Sequence, residues 1–303
     1  VGETDLDRSA GIPFPTEKVE FQFPKLQTAT LSNGAKVVLA QRKGVPLVEM
    51  NFQFNFGYAQ ENNDELGYTN FMMSMLNEGT KKYSSLEFDE VLDSLGSNLG
   101  FGSGLDSSVA SLSALKANLS ETLDLAKEAL VYPTFPEEEI ERIKKETLAG
   151  IIQEENRPAS IAYRNIGKLL YGDDHPYGKP LTGSGISETI SSITRANIMD
   201  VHSRAINSAH LTFAVAGDIE MEELVDLLES KFGDWSANSD SGLKALTTVE
   251  LPDNRTIYLI DKPNAQQSYI VAGQLLPPSA TDEEIEIDYM NYAIGGSFTA
   301  RLN

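Results

Sequence analysis

The side chains available for chemistry include three histidines, no cysteine, and a large set of carboxylates, serines and asparagines. His175, His202 and His210 contain no pair four residues apart, the spacing that sets two imidazoles on one helix face to hold a metal. His175 precedes Pro176 and reads as a turn residue; His202 with Asp200 is a weaker metal pair still. Without cysteine there are no disulfides, thiolate metal sites or thiol nucleophiles. Gly100-Phe101-Gly102-Ser103-Gly104 resembles a phosphate loop in composition, but no helix and no P-loop lysine follow it. It reads instead as a strand that other backbone approaches closely. Asn118-Leu119-Ser120 is a glycosylation sequon at a helix start, where Asn and Ser serve equally as caps.

The most informative segment runs from Gly67 to Thr80, Gly-Tyr-Thr-Asn-Phe-Met-Met-Ser-Met-Leu-Asn-Glu-Gly-Thr. On a helix Asn70 and Ser74 project from one face with Met73 beside them. The inverted zinc motif H-x-x-E-H would place two imidazoles there, and a glutamate that takes a proton from zinc-bound water. An amide oxygen and a hydroxyl are weak neutral zinc ligands, and a thioether cannot accept that proton. Met72, Met73 and Met75 at helical spacing read as core filling, with Met73 expected to face a cavity.

The frame around these positions, Gly67 before and Leu76-x-x-Gly79-Thr80 after, resembles the insulinase/pitrilysin family of metallopeptidases. The resemblance implies a third zinc ligand, a Glu about 76 residues beyond the second His and eight before a proline in an Asp-Asn-Pro-like tripeptide. Counting forward from Ser74 and back from Pro158 both reach Gly150, which has no side chain. The neighbouring Glu146, Glu154 and Glu155 read as a solvated face. Leu31-Ser32-Asn33-Gly34, Gly57, the run Tyr171 to Gly178 and Ala216-Gly217-Asp218 extend the likeness over residues 25 to 303.

The resemblance implies an α+β fold, a two-layer roll in which helices cover one antiparallel-rich sheet, followed by a truncated second copy. It implies a zinc-less half that closes a peptide-binding chamber and assists a zinc-bearing half, fused or separate, on peptide or unfolded polypeptide. Zinc is then expected only in that partner half. The alternative is a structural or assembly subunit that binds no peptide. The Arg and Tyr with which such halves hold substrate would follow the stretch Gly295 to Leu302, beyond Asn303; Arg301 reads as structural. A periplasmic or cell-envelope setting is implied, with the cytoplasm open.

The elements that would carry these positions can be read along the chain. Residues 1 to 25, broken by Pro13, Pro15 and Pro24, read as an extended arm or linker. Asn33-Gly34 between alternating runs marks a hairpin, and a strand follows over 47–56. Helices are expected over 63–76, from 84 to 96, over 119–131, from 137 to about 155, and over 159–170, 186–190, 194–201 and 221–232. A hairpin is expected over 99–115 and a buried strand over 211–218. Residues 26–236 then form a complete roll and 237–248 a linker. Two strands, 255–260 and 268–274, and a helix over 285–294 begin a second, incomplete copy in 249–303.

Composition narrows the partners. In 303 residues, 45 Asp and Glu against 24 Lys and Arg give a net charge of -21. Such a field repels phosphate backbones and anionic lipid heads, so no nucleic acid and no membrane surface is expected. No apolar run approaches the roughly 20 residues of a membrane span.

Overall fold

The computed structural model describes residues 22–236, 243–250, 256–279 and 281–302. In chain order the elements are β1 (Leu26–Thr30), β2 (Lys36–Gln41), β3 (Leu47–Phe54), α1 (Tyr68–Ser74), α2 (Ser85–Ser94), β4 (Asn98–Ser103) and β5 (Ser108–Leu115). Then come α3 (Leu119–Val131), α4 (Glu137–Glu154), α5 (Pro158–Tyr171), α6 (Ser187–Ser192), α7 (Arg195–Ala205), β6 (Leu211–Gly217), α8 (Met221–Phe232) and α9 (Glu284–Ile294).

The six strands form one sheet in the order β1-β2-β6-β3-β5-β4, with only the β2–β6 pair parallel. Period-two alternation puts Val37 and Leu39, Val48 to Phe54, Ala110 to Ala114, and Leu211 to Val215 on one buried face. Phe52 at the centre packs edge-on against Phe213 and Phe232, with ring centroids 5.1 and 5.6 Å away. Helices α1, α3, α7 and α8 contribute Met72, Leu123, Val201 and Leu228 to the same core. The expected α+β roll is present.

Local signals set most of the boundaries. The hairpin turns at Gly34, whose φ of +90° suits glycine. Ser84 and Glu87 form a capping box on α2, and Thr194 with Asn197 does the same for α7. Glu137, Glu138 and Glu139 lie in the first turn of α4, where the helix dipole favours them. Asn118 does not cap α3 with its side chain; its Nδ2 donates to Leu95 O across to the end of α2, at 2.8 Å.

Three expectations are corrected. The helix expected from Asn63 begins only at Tyr68, because Gly67 takes a left-handed φ of +92° at the cap position. Helix α7 runs on to Ala205, past Val201. The strands expected over 255–260 and 268–274 are absent from the described residues 256–260 and 268–274. A strand needs a neighbour for its N–H and C=O groups, and no described residue supplies one. Helix α9 buries none of its side chains. Residues 268–274 instead lie along α5, with Tyr269 beside Tyr163 at 6.5 Å between centroids. Residues 1–21 of the expected arm and 237–242 of the expected linker lie outside the described residues; 22–25, 235–236 and 243–248 carry no regular structure.

Candidate functional site

Helix α1 is held at its start by a buried carboxylate. Glu61, 2% exposed, accepts from Gly67 N at 2.8 Å and Thr69 N at 2.7 Å, satisfying amides that the first turn leaves unpaired. From this start Asn70, Met73 and Ser74 follow in one turn. The Asn70 carboxamide is used on both sides: Nδ2 donates to Gly183 O at 2.9 Å, and Oδ1 accepts from Ser103 N at 3.2 Å. Met73 does not face a cavity. It is fully enclosed in the core, with no exposed surface. Ser74 is exposed, and its Oγ donates back to Phe71 O at 2.8 Å.

Gly150 lies on α4, with open space where a side chain would begin. Zinc needs lone pairs from imidazole, thiolate or carboxylate aimed at one point. These four positions offer an engaged amide, a core thioether, a back-bonded hydroxyl and no side chain, so the donor set does not fit the metal. Among the described residues no group of three or more His, Cys, Asp or Glu side chains is placed to hold a metal ion.

Two of the three histidines are engaged elsewhere. His175 accepts from Tyr177 N through Nδ1 at 3.0 Å, stacks on Tyr171, and places Nε2 3.0 Å from Thr247 O. This makes it more than a turn residue, since it also ties down the segment after α8. His202 Nε2 meets Leu130 O at 2.9 Å, and burial lowers its basicity.

A strap from Leu181 to Gly185 lies across the start of α1. Gly183 and Gly185 have φ of +69° and +75°, and a Cβ on Gly185 would stand 2.2 Å from Leu66 O and 2.7 Å from Gly67 Cα. The strap is pinned by Tyr58 Oη to Leu181 O at 3.1 Å, and by Arg164, which donates to Ser184 Oγ at 2.9 Å and Gly185 O at 2.7 Å. Glu154 completes the group, 2.7 Å from Arg164 and 2.6 Å from Ser184 Oγ. Glu154 is therefore part of a partly buried ion pair and does not belong to a solvated face. Sequence reasoning missed Glu61, Gly183, Ser184 and Arg164. Their partners lie from 6 to 113 residues away, and no local pattern marks them.

Burial pushes the Glu61 carboxyl up to about 7, against the opposing pull of the Thr69 and Gly67 amides and the Lys179 ammonium. Lys179, 5% exposed, is pushed down by its own burial and by the charge of Lys244, while Glu61 and Glu65 favour its charged form. Lys244 bonds to Glu61 O through Nζ at 2.6 Å. The folded chain holds the Glu61 proton more tightly than an ordinary carboxyl near 4.5 does. The Glu61 contribution to stability is therefore complete below about pH 4.5 and is lost as the pH rises through about 7. Thermal melts of the wild type and Glu61→Gln across that range check this: the wild-type advantage should shrink with rising pH, and a constant difference would refute it.

The far edge of the sheet bears on the same place. Gly104 N donates to Ser107 O at 2.7 Å, so by antiparallel alternation the bonded pairs run through Gly102–Val109 and Gly100–Ser111. The main-chain groups of Leu99, Phe101 and Ser103 then point away from β5, to the free side of β4. Asn70 takes the Ser103 N–H; among the described residues nothing bonds to Leu99 or Phe101 on that side. A groove of about 590 Å³ runs over Gly100, Phe101, Gly102, Ser103 and Val109.

Fold and site together describe a peptidase-like roll whose zinc-motif positions are Asn70, Met73, Ser74 and Gly150. Residues 36–183 match the family model "Insulinase (Peptidase family M16)", and residues 192–303 match "Peptidase M16 inactive domain". The chain belongs to this M16, or insulinase, peptidase family. It is 26% identical over 272 residues to an uncharacterized zinc protease of Rickettsia felis, covering 90% of this chain and 64% of that protein. To the uncharacterized zinc protease YmxG of Bacillus subtilis it is 23% identical over 273 residues, with the same coverage. The chain thus spans just under two-thirds of the length of these relatives. Among solved structures it is similar to a peptidase M16 inactive domain from Pseudomonas fluorescens, with TM-score 0.70 and 27% identity over 75% of this chain and 54% of that one. The first half of the periplasmic protease PqqL from Escherichia coli shares the fold, with TM-score 0.66 at 20% identity, over 75% of this chain and 50% of that one.

Proposed function

We propose that this chain is the non-catalytic half of an insulinase-type zinc peptidase, closing the peptide-binding chamber while a homologous zinc-bearing half, fused or separate, performs the hydrolysis. The observation that carries this reading is the state of α1: the Asn70 amide is consumed by two backbone bonds, and Met73, at the place of the motif's glutamate, is sealed in the core. The match to the M16 inactive domain supports it, as does the likeness of fold to one half of a two-part protease.

The chamber surface this half contributes is the free edge of β4. An extended peptide adds to such an edge through main-chain hydrogen bonds, which tolerate many sequences. Leu99 and Phe101 offer the N–H and C=O groups, and the adjoining groove leaves room for alternate side chains. Residues 26–236 form the complete roll, 237–248 the linker, and 249–303 the start of a second, similar unit. The exposed Ile257, Leu259, Ile270 and Phe298 support this, since an apolar set of that size is ordinarily covered by further structure. A periplasmic or envelope setting accords with the description of PqqL; among the described residues no helix is long and apolar enough to cross a membrane.

The test is complementation. Mixed with a zinc-bearing M16 half from the same source, the chain should yield chelator-sensitive cleavage of an unfolded polypeptide that neither half gives alone. Stable association without cleavage would instead favour a structural or assembly subunit.

A further inference from the structure

The Asn70 carboxamide is a planar amide that here uses one donor and one acceptor in opposite directions, the pairing a peptide group makes. It sits at the last outward-facing position of the β4 edge, accepting from Ser103 N and passing a hydrogen bond on to Gly183 O. The approach is close enough to require glycine on the strap. A Cβ on Gly183 would stand 2.4 Å from Asn70 Nδ2, and Gly183 has the positive φ that glycine adopts freely. The strap cannot drift outward easily, because Arg164, Glu154 and Tyr58 pin it on either side of Gly183. The end of the edge is therefore already occupied by a side chain imitating a bound strand.

The geometry points to Asn70 as a register stop: an extended peptide adding to β4 pairs through Leu99 and Phe101 and must leave the edge before Ser103. This rests on the reading of β4 as a peptide-binding edge and says where on that edge pairing ends. In place of a metal ligand, the position would then carry a specificity-determining residue that fixes which peptide residues lie in the groove. A peptide amide competing for Ser103 would have to displace an amide that is already held at both ends.

Amide hydrogen exchange, read residue by residue on the intact chain with and without a capped, unstructured peptide of alternating polar and apolar residues, tests this. In the wild type the peptide should slow exchange at Leu99 and Phe101 about tenfold or more and leave Ser103, already protected in the free chain, unchanged. In Asn70→Ala, Ser103 should exchange freely without peptide and become protected with it. The affinity for peptide should rise about 3- to 10-fold, the worth of one main-chain hydrogen bond. A wild-type Ser103 whose exchange changes on peptide addition would overturn the proposal, and so would identical protected sets in wild type and variant. If Asn70→Ala does not fold, the wild-type behaviour of Ser103 decides alone. Absence of peptide binding to either protein would overturn the reading of β4 as well, which separates that failure from failure of the stop.

Discussion

Met73→Glu is expected to cost about 4 kcal/mol of folding stability, a large share of the margin that an ordinary domain has. This is the substitution that would restore the proton-accepting position of the inverted zinc motif. The Met73 side chain is fully enclosed, in an apolar cluster that includes Phe71, Met72, Met75 and Leu76. A glutamate there must either ionise without a partner or stay protonated with its hydroxyl unbonded, and both are costly. Urea unfolding of wild type and variant gives the difference directly. A variant as stable as the wild type would mean that Met73 faces open space after all. Met73→Leu, close in volume and apolar, should cost under about 1.5 kcal/mol and serves as the control.

Gly185→Ala is expected to cost about 3 kcal/mol, from two sources. A non-glycine residue at φ +75° costs about 1–2 kcal/mol. The new methyl would also stand 2.2 Å from Leu66 O, a backbone atom at the start of α1, so strap or helix must move. Forced shifts of this kind add about 1–3 kcal/mol. Gly96→Ala separates the two sources: its φ is +60°, but nothing lies within 4 Å of the added methyl. It should lose only the conformational part, about 1–2 kcal/mol. Equal losses at the two glycines would mean that the strap is not packed against α1.

The sequence carried the elements far better than their assembly. Helix α3, Leu119 to Val131, and helix α8, Met221 to Phe232, begin and end where their apolar spacing and flanking residues place them. The turn at Asn33-Gly34 and the hairpin over 99–115 were equally legible, because turn chemistry is local. The insertion of β6 between β2 and β3 is not, since its partners lie more than 150 residues away. The strands expected at 255–260 and 268–274 show the limit from the other side. Their β-branched and aromatic residues state a preference, but a strand exists only when another supplies its hydrogen bonds.

The site divides in the same way. Asn70, Met73, Ser74 and Gly150 could be found by frame and spacing. What each does could not, because it depends on residues brought in by the fold. Asn70 acts through Gly183 and Ser103, and Met73 through the core it fills. Glu61, the carboxylate that starts α1, meets Gly67 and Thr69 six and eight residues on, a spacing that matches no capping pattern.

Zinc content and peptidase activity of the purified chain, after equilibration with zinc and removal of the excess, decide whether α1 supports zinc chemistry. Zinc far below one ion per chain is expected, with no chelator-sensitive cleavage until a zinc-bearing half is added. One tightly held zinc per chain, or chelator-sensitive cleavage by this chain alone, would contradict it.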